Sequence, residues 1–205
     1  MLGRRAYVAG DPKGEWTGLT QAVGGTAIEL GPGMPARLNP LDTGARPAGL
    51  SDRDWHTKVR SHRLSLLTSL AESLTGRPLE PVEHTAVGVA LDHAAASTDR
   101  PTLPQVVRHL LDPDPAADLS PGVPTVHQFA ADGRHVGHAL ARLVLGDLAG
   151  LFDAESTITF DPNTPMISID VSRIGEDSPL IPLVMTCTSA TRLRATWRHR
   201  PRPRA

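Results

Sequence analysis

The sequence predicts an α/β domain built on a parallel sheet and interrupted by an all-α insertion. Three observations carry this. Residues 5–42 read as strand, tight turn, short helix and second strand, the rhythm of a parallel sheet. Residues 51–148 then hold four helical patterns with no strand between them. Residues 150–170 return to short β-branched runs separated by turn residues.

The first strand is Ala6 to Ala9, and Asp-Pro-Lys-Gly follows it, with Pro12 and Gly14 where a turn needs a fixed φ and a permissive backbone. Asp11, Lys13 and Glu15 therefore lie at a strand C-terminus, the edge where parallel sheets place their chemistry. A helix over about Glu15 to Val23 ends at Gly24-Gly25, and Thr26 to Leu30 forms the second strand. On the residues alone, Asp11 and Glu15 read as capping and charge-matching groups at a helix N-terminus. Residues 30–47 hold Pro32, Gly33, Pro35, Pro40, Gly44 and Pro47, which predict a solvated loop carrying Arg37 and Asn39.

Ser51 caps the next helix, which runs to Thr75 with Trp55, Val59, Leu66, Leu67, Leu70 and Leu74 on one face. A second spans about Pro81 to Ala96. Thr102 caps a third, and Asp112-Pro113 breaks it. The fourth is read from Thr125 to Leu148, with Gly133 as a point where it could divide in two. These four form either an insertion or a separate four-helix bundle. Strands are then expected at Thr157–Phe160 and Met166–Asp170, and a last helix from Pro179 or Leu180. Asp170 is followed by Val171, so it lacks the second acid that holds Mg²⁺ and polarises water, and a structural role is expected for it. Residues 191–205 hold six arginines and no acid, and read as a basic, disordered tail.

Composition narrows the function classes. A net charge of −1 predicts no nucleic-acid or membrane partner from bulk electrostatics. Cys187 is the single cysteine, which excludes a disulfide framework and fits a reducing cytoplasm. No apolar run reaches the ~18–20 residues of a membrane span, and the N-terminus has no signal-peptide core. Aromatics at 3% argue against stacking platforms for single strands. Nine histidines include His135 and His138 three apart, but no His-Glu-x-x-His occurs and Cys187 stands alone, so no metal site is expected.

GDPKGEW, AVGGTAIELGPG and RLNPLD, followed by LGDLAGLFD, PMISIDVSRI and PLVMTCTSA in order, resemble landmarks of conjugal-transfer and type IV secretion motor ATPases of the HerA/FtsK RecA-like P-loop superfamily. The resemblance covers roughly residues 1–190. It implies a partial RecA-like core, in two parts at 1–47 and 149–190, around a helical insertion at 48–148. It also implies that Glu15 helps order the water or metal, and that Asp11 and Lys13 lie near nucleotide phosphates. ATP and Mg²⁺ are the intact family's cofactors. Its partners are motor subunits or secretion-channel components, and DNA through the complex, in a hexameric homo-oligomer that works in the cytoplasm or at the inner face of the membrane. No G-x-x-x-x-G-K-[ST] loop and no paired Walker B acids occur in the sequence. A fragment of such a motor, inactive and without cofactor on its own, is therefore expected. A non-catalytic module that binds motor subunits, and a nucleic-acid adaptor using the arginine tail, are the alternatives.

Overall fold

The computed structural model describes residues 6–43, 46–115, 125–158, 164–175, 178 and 180–196, with side chains described to residue 188. The chain forms two compact units. One comprises 1–36, 43–55 and 157–205, the other 37–42 and 56–156.

The first unit holds a three-stranded parallel sheet in the order β1-β3-β2, with β1 at Ala6–Asp11, β2 at Thr26–Glu29 and β3 at Met166–Asp170. β3 is central because its Met-Ile-Ser-Ile-Asp run can be covered on both sides; Met166, Ser168 and Ile169 are buried. Ala6 pairs with Met166 and Val8 with Ser168, and a bulge then brings Asp11 opposite Asp170. On the other side Thr26 pairs with Ile167 and Glu29 with Asp170. Helix α1 (Trp16–Ala22) packs on β2 and β3, and α6 (Leu180–Thr196) on β1. The α1–β2 connection needs glycine twice. Gly24 has φ +72°, and a Cβ on Gly25 would lie 2.4 Å from the Met166 carbonyl oxygen. The Thr188 hydroxyl reaches the Ala9 carbonyl at 3.1 Å and ties α6 to β1. The helix continues to Thr196, so residues 191–196 are helical where the sequence reading has a disordered tail; 197–205 lie outside the described residues.

The second unit is helical. Helix α2 (Asp52–Thr75) enters it at residue 56, followed by α3 (Pro81–Ser97), α4 (Leu103–Leu111) and α5 (Val126–Ala141). Helices α3, α4 and α5 pack mutually around Leu91, Leu103, Leu110 and Leu140, all at most 1% exposed. The α3 N-terminus is fixed by Glu83. Its carboxylate accepts the Glu80 backbone N–H at 2.9 Å and both prongs of the Arg77 guanidinium at 2.8 and 2.7 Å. His135 of α5 stands 3.4 Å from the same carboxylate.

Four expectations change here. Gly133 does not divide α5. It and Gly137 face α4 one turn apart, where a Cβ would lie 2.9 Å from Leu110 Cδ2 and 2.6 Å from Leu111 Cδ2 respectively. The helix stops at Ala141 rather than Leu148. The turns that follow, closed by a two-pronged Arg142–Asp147 pair, let the sequence neighbours Leu143 and Val144 both be buried. The loop at 37–42 is not solvated, because Leu38, Asn39 and Leu41 are at most 1% exposed. The Asn39 amide donates to Asp42 Oδ1 and the Pro101 carbonyl, its Oδ1 accepts the Leu41 N–H, and Arg37 pairs with Asp153 at 2.8 Å. Finally, Thr157 and Ile158 have no strand structure; the rest of the strand expected at Thr157–Phe160 lies outside the described residues.

Candidate functional site

Parallel strands direct their carboxyl ends to one edge of a sheet, and β1 and β3 bring Asp11 and Asp170 side by side there. Asp11 is 3% exposed. One carboxylate oxygen accepts the Trp16 backbone N–H at 2.8 Å, and the other accepts that of Lys13 at 3.3 Å. Asp11 thus caps α1 from below. Glu15 occupies the N-cap position of the backbone, but its side chain makes no capping bond. The expectation that both acids cap the helix therefore holds for one of them. Glu15 and Lys13 are exposed at the same edge.

Asp170 is the residue that sequence reasoning left out of this edge. Its carboxylate accepts the Ser172 N–H at 2.9 Å and the Thr17 hydroxyl at 3.3 Å. Gly14, at φ +69°, passes so close that a Cβ would sit 2.9 Å from Asp170 Oδ2. The Asp-Pro-Lys-Gly turn is clamped between the two aspartates. The signal for this was present: a carboxylate ending a buried parallel strand, on the same edge as Asp11.

Helix α1 presents an unusual pair of faces. Thr17 and Thr20 point to the sheet, and Thr20 Oγ1 and Ser168 Oγ are buried with no hydrogen-bond partner among the described residues. Trp16, Leu19 and Val23, spaced three and four apart, are 45–50% exposed.

The carboxylates of Asp11 and Asp170 at this edge are held by partners within the adjoining turns and the helix start. The oxygens of Asp11 are engaged by backbone N–H groups and those of Asp170 by Ser172 and Thr17. Among the described residues, no group of three His, Cys, Asp or Glu side chains could hold a metal ion. What the edge offers a ligand is the Lys13 ammonium and the Glu15 carboxylate, held at a fixed turn.

No protein-family model and no curated protein matches the sequence. A solved structure does: VirB4 of Thermoanaerobacter pseudethanolicus superposes with a TM-score of 0.65 over 96% of this chain, at 18% identity. The fold is that of VirB4. The three-stranded parallel sheet with its helices is a mixed α/β arrangement consistent with a partial RecA-like core. The chain spans about half of the VirB4 chain, 49% of its length. Among the described residues, no helix is long and apolar enough to cross a membrane.

Proposed function

We propose that this chain is part of a motor ATPase of the conjugal-transfer or type IV secretion class, in which ATP hydrolysis drives substrate translocation. The observation that carries the reading is the VirB4 fold along 96% of the chain. The Asp11–Glu15 turn supports it by standing at the C-terminal edge of the sheet, where this fold class does its chemistry. In this reading Glu15 orders the attacking water or the metal, Lys13 meets phosphate oxygens, and Asp11 positions both by holding the turn. ATP and Mg²⁺ supply the transferable phosphoryl group and its charge neutralisation. The backbone cradle for the phosphates needs a glycine-rich loop with its Lys, which this sequence lacks. Hydrolysis is therefore assigned to a complete motor, a hexamer of subunits docked on secretion-channel components at the cytoplasmic face of the membrane, with DNA reached through that complex.

The test has two parts. The purified chain is expected to show no ATP hydrolysis alone and to co-migrate with a complete motor subunit in size-exclusion chromatography. Hydrolysis by a homogeneous preparation that Glu15→Gln abolishes would overturn the division of labour. Failure to co-migrate at any concentration would overturn the assignment to the motor.

A further inference from the structure

Outside the sheet edge, a pair of histidines is built into the contact between α3 and α4. His93 of α3 and His109 of α4 meet edge to face, with ring centroids 5.6 Å apart and planes at 74°. His109 Nε2 is sealed from water and has no hydrogen-bond partner among the described residues. A neutral ring can leave a bare lone pair there at modest cost. A protonated ring must place a charged N–H in the same position with no acceptor, which costs far more.

We propose that the His93–His109 contact is an acid-sensitive latch that holds α4 against α3. The groups acting on His109 from the described residues are Arg108 on its own helix, His93 from α3 and Asp114 from the segment after α4; α5 contributes none. Burial is the largest influence and pushes the imidazole below its ordinary value; Arg108 and His93 push the same way, and only Asp114 opposes. The folded state therefore resists the proton that the unfolded chain accepts. The latch is fully closed above the ordinary histidine range of about 6.5 and weakens as pH falls below it. The His109 ring is half-buried but its Nε2 is enclosed, and that nitrogen gains a water partner when α4 moves off α3. At nine residues α4 is too short to persist once undocked, so release of the ring unfolds the helix.

The experiment follows backbone amide exchange in 103–111 of the full chain, corrected for intrinsic rates, at about pH 7.5 and about pH 5.5 on either side of the histidine range. Protection of α4 is expected to fall at the lower pH, by at most about tenfold per pH unit since one proton is taken up. In His109→Gln, which cannot take the proton, protection should stay level. Equal protection of the wild-type helix at both pH values, or an equal loss in the variant, would overturn the proposal. The wild-type His109 ring, titrated by NMR, gives a readout independent of the variant's folding: a midpoint at or above about 6.5 would overturn it too.

Discussion

Two glycines in the helical unit should respond to the same substitution with opposite sign. In a helix interior, Gly→Ala gains about 1 kcal/mol from propensity alone. At Gly88 of α3 the new methyl would find Arg60 Nη2 at 3.7 Å and Leu64 Cδ1 at 4.0 Å, ordinary contact distances, so the gain is kept. At Gly137 of α5 the methyl would stand 2.6 Å from Leu111 Cδ2, 3.0 Å from Leu111 Cγ and 3.1 Å from Leu110 Cβ. Leu111 is half-buried and can turn its tip away, but Leu110 Cβ belongs to a side chain with 0% exposure and moves only with the backbone of α4. Overpacking of this kind costs about 1–3 kcal/mol. Gly88→Ala should therefore stabilise by about 0.5–1 kcal/mol, while Gly137→Ala should destabilise, by up to about 2 kcal/mol after its propensity gain is subtracted. Both positions lie in the second unit, so one urea transition followed by circular dichroism reports on both. A midpoint for Gly137→Ala at or above wild type would refute the argument that the side chains of Leu110 and Leu111 leave no room for a methyl at that turn of α5.

Acid should act on the α3 N-terminus through Glu83. The Arg77 guanidinium holds this carboxyl at about 2, below the usual carboxylate range. Because the folded value is depressed, its stabilisation is complete above the ordinary value near 4.5 and is lost as pH falls toward about 2. Urea midpoints taken across that interval should decline in wild type and lie flatter in Glu83→Gln; parallel declines would show that other groups carry the acid response. In α1, Thr20→Val replaces a buried hydroxyl that has no partner, and is expected to stabilise the fold by about 1 kcal/mol. Thr17→Val, which gives up the bond to Asp170, should destabilise it by about 0.5–1.5 kcal/mol in the same thermal melts. Equal shifts for the two threonines would contradict their different partners.

The elements legible in the sequence are those whose signal is local. The strands at Ala6 and Met166 are short, largely apolar runs next to turn residues, and α2, α3 and α4 carry a three-and-four apolar spacing or a capping residue. Asp11, Lys13 and Glu15 were legible as occupants of a strand end for the same reason. What depends on partners distant in the chain was not. The burial of Asn39 rests on Pro101 and Ser156, which no window around residue 39 contains. The α5 C-terminus is set by the Arg142–Asp147 clasp, although the apolar spacing runs on to Leu148. The meeting of Asp11 with Asp170 needed the sheet order, which places β3 between two strands that precede it.

That order has a consequence for how the protein is made. Among the described residues, neither β1 nor β2 pairs with the other; each pairs only with β3, which leaves the ribosome about 140 residues after β2. At synthesis rates of about 5–20 residues per second, the first two strands wait roughly 7–28 s for the strand that joins them. During that interval the turn carrying Lys13 and Glu15 has Asp11 but not Asp170 to hold it, and the helical unit is synthesised in full. The site edge therefore takes shape after the helical unit has been synthesised, and slowing translation between codons 30 and 165 would lengthen the exposure of two unpaired strands to chaperones and proteases.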